Sequence, residues 1–114
     1  MAKKLLPDAL TRRHLIEKEL APAQALRLAE AYLTEERVVE SLVFLKKAGA
    51  EERLRALAGQ AKLDGDVFLM RQVATWLGQS PSAEDWRAAA AVAQERGKLR
   101  YAADAERQAG REGT

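Results

Sequence analysis

The chain has 114 residues, with 19 Lys and Arg against 17 Asp and Glu, no cysteine and one histidine, His14. This composition excludes disulfide staples, thiolate metal sites, cysteine nucleophiles and multi-histidine centres. The excess charge of +2 sits wholly in residues 1–22, while 23–50, 51–82 and 83–114 are each balanced, so no face gathers the Lys and Arg that hold a nucleic-acid duplex.

The elements follow from helix-forming residues and from breakers. Ala, Leu, Glu, Arg, Lys and Gln dominate, isoleucine occurs once, and no segment alternates with period two. Pro7 and Asp8 open a helix over 8–20, with Leu10, Leu15 and Leu20 inward. Pro22 suits the first turn of a second, 22–33. Thr34 serves as N-cap of a third, 35–47, which ends at Gly49 in a left-handed cap. A fourth spans 51–63. After Asp64-Gly65-Asp66, Asp66 caps a fifth, 67–78. Ser82 with Asp85 forms a capping box for a sixth, 83–96. Gly97 separates it from a seventh, 98–109.

The breaks recur. Thr34, Gly65 and Gly97 stand 31 and 32 residues apart, and Gly49 and Pro81 stand 32 apart. A fixed period of two helices and a short turn is the signature of an α-hairpin solenoid. The chain reads as one all-α domain, 1–114: a cap segment 1–21, repeat units 22–50, 51–82 and 83–110, and a tail 111–114. Helices 35–47 and 67–78 are apolar over a wide arc and must pack on more than one side.

The last unit reads Trp86, Ala89, Ala90, Ala93, Gly97 and Ala102; the middle one Leu54, Leu57, Ala58, Ala61, Gly65 and Met70; the first Ala25, Leu28, Ala29 and Tyr32, with Glu36 where a glycine would stand. Over residues 23–109 this resembles a divergent tetratricopeptide array, with a shorter period and no repeat-ending proline. A HEAT-like or other α-α solenoid carries the same pattern. The resemblance implies a right-handed α-α superhelix that docks a partner in its concave groove. In that frame the groove residues are Arg55, Gly59 and Lys62 in the middle unit and Arg87, Ala91 and Gln94 in the last. Two arginines at one frame position beside small residues imply an acidic or C-terminal peptide held between Arg55 and Arg87.

The remaining chemistry is sparse. Glu35-Glu36, Glu51-Glu52 and Glu84-Asp85 fall where helices begin, where negative charge complements the dipole, and Asp64 with Asp66 lacks the other ligands of a calcium loop. His14 has no nucleophile or orienting partner in sequence, and Trp86 stands at core spacing, facing Leu99 or Ala102. No Walker A, G-x-G-x-x-G or H-E-x-x-H motif occurs, so no cofactor or metal is expected. The chain reads as a non-enzymatic protein-protein interaction scaffold. The alternative is a nucleic-acid-associated adaptor using Lys3, Lys4, Arg12, Arg13 and the Arg96, Lys98, Arg100 cluster beside Tyr101. The N-terminus lacks the apolar run of a signal peptide and no segment reaches membrane-span length. With arginine exceeding lysine and alanine abundant, these features point to a bacterial cytoplasm.

Overall fold

The computed structural model describes residues 6–112 and places seven α-helices in that span, with no strand among the described residues. They are α1 (Ala9–Glu17), α2 (Pro22–Thr34), α3 (Val38–Lys47), α4 (Glu51–Asp64), α5 (Val67–Leu77), α6 (Ala83–Glu95) and α7 (Leu99–Glu112). Among the described residues no helix is long and apolar enough to cross a membrane. The chain gathers into two compact units, residues 1–54 and 55–114, and the division falls inside α4.

The helix ends are set by local chemistry. Asp8 caps α1 by accepting from the Thr11 N–H at 2.8 Å, and Asp66 caps α5 by accepting from the Leu69 N–H at 3.0 Å. Ser82 and Asp85 form a reciprocal capping box at α6. Thr34 does not cap α3. It is the last residue of α2, and its hydroxyl donates back to the Glu30 carbonyl at 2.8 Å. Helix α3 starts three residues later than its polar run predicts, because Glu36 takes a left-handed conformation (φ 59°) that ends α2. The Glu35-Glu36 pair therefore lies in a turn, not in a first helical turn.

That left-handed residue recurs after other helices, at Gly49, Gly65, Gly78 and Gly97. In each case the following N–H reaches back five residues: Arg37 to Tyr32, Ala50 to Leu45, Asp66 to Ala61, Gln79 to Ala74 and Lys98 to Ala93, at 2.8–3.3 Å. This is the Schellman closure, which satisfies carbonyls that a helix end otherwise leaves open. In the turns after α2 and α4 the residue that closes one helix, Arg37 or Asp66, is also the N-cap of the next.

In the first unit, Ala25, Ala29, Ala31 and Tyr32 of α2 and Leu42, Phe44 and Leu45 of α3 are buried, and the Tyr32 and Phe44 rings stack with centroids 5.7 Å apart. Buried Ser41 is satisfied by donating to the Val38 carbonyl at 2.6 Å. Helix α1 buries none of its residues. Leu10, expected inward, is 67% exposed. In the second unit, Trp86, Ala89 and Ala90 of α6 join Ala61, Val67, Met70, Ala105 and Ala109 in one cluster. Trp86 is thus a core residue, and the cluster it joins holds Ala105 and Ala109 of α7 rather than the expected Leu99 or Ala102. Trp86 stands in the first turn of α6, far from the Gly97 turn, so it meets the later turns of α7.

Gly65 is needed twice over. A Cβ there would strain a left-handed backbone and stand 2.8 Å from the Ala93 nitrogen of α6, whereas a Cβ at Gly97 would meet nothing within 4 Å. Gly97→Ala is expected to cost about 1 kcal/mol from conformation alone, and Gly65→Ala clearly more; denaturant unfolding checks this, and equal losses would contradict the close approach to α6. Glu36→Gly is expected to stabilise the chain by up to about 1 kcal/mol, since glycine relieves the left-handed strain at some entropic cost.

Candidate functional site

Helix α4 carries Arg55, Gly59 and Lys62, spaced i, i+4 and i+7, so they share one face. That face forms one wall of a cleft of about 320 Å³. Its opposite wall is the Met70, Ala74 and Leu77 face of α5, and it is bordered by Gln79, Ser80 and Pro81 and by Asp85 at the start of α6. The cleft stands at the small end of ligand-site volumes, which run from about 300 Å³ upward. It has room for one or two side chains.

The rim is charged and ordered. Lys62 Nζ donates to Asp85 Oδ1 at 3.2 Å, while Asp85 Oδ2 accepts the Ser82 N–H at 3.3 Å. Partial burial alone would raise the Asp85 pKa, but Lys62 and the Ser82 groups outweigh it and hold the carboxyl below its ordinary value of 3.8. Gly59 leaves the α4 wall open. It lies in mid-helix with no positive φ, and an added Cβ would meet nothing within 4 Å.

Of the predicted groove residues, Arg55, Gly59 and Lys62 line this cleft. Arg87, Ala91 and Gln94 line a different one, of about 360 Å³, with Leu99, Ala102 and Glu106 across it on α7. Arg55 and Arg87 thus face separate concavities: each arginine lies opposite the partner helix of its own hairpin. The sequence frame ranked positions along α4 and α6 but carried no information on the far wall. Met70, Ala74 and Leu77 read there only as core.

Of the bases of the nucleic-acid reading, Arg12, Arg13, Arg96 and Lys98 make internal contacts and Arg100 is exposed. Lys3 and Lys4 lie outside the described residues. Arg13 pairs with Glu17 at 3.1 Å, and Arg96 donates to the Asp64 carbonyl at 3.1 Å. Lys98 lies 5.9 Å from the Tyr101 ring centre. Arg12 is the least expected: its guanidinium sits 5.3 Å from the Tyr32 ring centre and 5.6 Å from that of Phe44, and donates to the Glu40 carbonyl at 2.8 Å. Arg37 approaches Tyr32 at 5.3 Å and pairs with Glu40, whose carboxyl it holds below the ordinary range.

Among the described residues, Arg12 Nε, Tyr32 Oη and Trp86 Nε1 are buried without a hydrogen-bond partner. Each such atom costs about 1–3 kcal/mol. No three His, Asp or Glu side chains gather where they could hold a metal ion, again among the described residues. No family model, curated protein or solved structure matches the chain.

Ser82→Ala is expected to cost about 1 kcal/mol by removing the α6 cap. The depressed Asp85 pKa means that the unfolded chain binds the proton more readily. Its stabilisation is present above pH 3.8 and is lost as pH falls through the depressed value. Asp85→Asn should remove that part of the acid limb in denaturant titrations, leaving a shallower decline.

Proposed function

We propose that the chain is a non-enzymatic docking module for another polypeptide, a short right-handed α-α array of tetratricopeptide-like hairpins working in the cytoplasm. Its docking surface is the α4–α5 cleft. The occupant is an apolar side chain next to carboxylates, either an acidic segment or a chain terminus. The observation that carries this reading is the cleft wall itself. Met70, Ala74 and Leu77 offer an apolar floor, Arg55 and Lys62 stand on the rim, and Gly59 between them leaves the wall open.

Gly59 supports the reading through its cost. An exposed glycine inside a helix is less favourable than alanine by about 0.8–1 kcal/mol. Among the described residues nothing comes within 4 Å of where a Cβ would stand there. Close approach of another backbone or side chain is one of the uses glycine serves. The acid pairs Glu51-Glu52 and Glu84-Asp85 fall in first helical turns, where negative charge complements the dipole.

The test separates binding from folding. A photo-crosslinking residue at Gln79, on the cleft border, is expected to give polypeptide adducts in cells, and the same residue at Arg107 on the exposed face of α7 is not. Gly59→Ala should raise stability by about 1 kcal/mol. Gly59→Met should keep the fold while filling the cleft, and adduct formation at position 79 should fall about tenfold. Adducts that persist undiminished in Gly59→Met would remove the cleft as the docking surface.

A further inference from the structure

Helix α1 is held in an unusual way. It buries none of its residues, Leu10 points to solvent, and Leu15 and Ile16 are only half-buried. The Arg12 Nε atom of this helix is buried all the same. The Arg12 guanidinium lies against the stacked Tyr32 and Phe44 rings and donates to the Glu40 carbonyl of α3. A second tie is the Lys47 ammonium, which donates to the Lys18 carbonyl just past α1 at 2.9 Å.

The seat is good for a guanidinium in general and imperfect for this one. Two aromatic faces and a carbonyl acceptor are what a planar cation with forked donors requires. Yet Arg12 Nε and Tyr32 Oη, a donor and an acceptor on side chains in contact, are both buried and unpaired. Another guanidinium entering at a slightly different angle can donate to the tyrosine oxygen. The geometry of α2 also permits exchange. Lys18 and Ala21 are extended, and Pro22 in the first turn of α2 has no N–H for α1 to satisfy. Release of α1 therefore leaves the α2–α3 pair with its caps intact.

We propose that α1 is a displaceable strap, and that Tyr32, Phe44 and the Glu40 carbonyl form a docking seat for an arginine-bearing helix of another polypeptide, which Arg12 fills in cis. The chain itself supplies the case for that occupant, because α1 is such a helix already bound. This site lies in the first unit and stands independently of the α4–α5 cleft.

Full-length chain carrying Arg12→Ala is compared with wild type by amide exchange. In the variant, amides of α1 should exchange about tenfold faster or more, while those of Leu42–Leu45 keep their protection. A fluorescent peptide of residues 6–20 should then bind the Arg12→Ala chain saturably and wild type at least about tenfold more weakly, because α1 competes in cis. The same peptide carrying Arg12→Ala should not bind, and one carrying Arg12→Lys should bind less than the arginine peptide. Should Arg12→Ala fail to fold, full-length Arg12→Lys takes its place as the receiving chain. Unchanged α1 exchange, loss of protection at Leu42–Leu45 alongside α1, or peptide binding indifferent to the residue at position 12 would each overturn the proposal.

Discussion

The left-handed residue that follows a helix is the constraint on which the hairpins of this chain depend. A helix pair linked by so few residues must reverse direction within one turn while leaving no buried carbonyl unsatisfied. The Schellman closure does both, and it does so after α2, α3, α4, α5 and α6 with one geometry. In the α2–α3 and α4–α5 turns, the residue past the left-handed position already caps the next helix, so the link has no spare length. The packing follows from this. Helices brought so close can be faced with alanine, as in the α6–α7 pair, where Ala89 and Ala93 and, on the other helix, Ala102, Ala105 and Ala109 are buried.

How much of this was legible in the sequence depends on whether a residue type has one reason to be where it is. Gly49, Gly65 and Gly97 were readable as turn positions, because glycine is the residue that adopts a positive φ without strain. Glu36 was placed where a repeat glycine would stand, but the helix propensity of glutamate hid the left-handed turn there. The start of α3 moved for that reason alone. Asp66 and Ser82 were readable as caps because a short polar side chain before an apolar run has few other uses.

The functional surfaces divide in the same way. Arg55, Gly59 and Lys62 could be placed together because i, i+4 and i+7 spacing needs only the helix. Joining them to Arg87 required knowing which helix faces which, and helical periodicity does not contain that information. Arg12 lay further beyond reach. Its aromatic neighbours are 20 and 32 residues away, and in sequence it is one of the N-terminal bases of the nucleic-acid reading. Only packing turns it from surface charge into the anchor of α1.

Several positions depart from what stability alone would select, and the surroundings of Glu36, Gly59 and the Arg12–Tyr32 contact distinguish them. Glu36 carries backbone strain, but it is exposed and its side chain engages nothing that the strain would serve, so glycine there would improve the turn without removing a contact. Gly59 gives up helix stability at the open wall of a cleft. Arg12 and Tyr32 hold unpaired polar atoms where a helix with no buried residue meets an aromatic pair. A departure that borders a space or a releasable contact points to a role outside the folded chain. A departure that borders only solvent does not. By that criterion Gly59 and the Arg12 seat are two places where we propose that a partner docks. They lie in different units, so each can be lost by substitution without direct damage to the other.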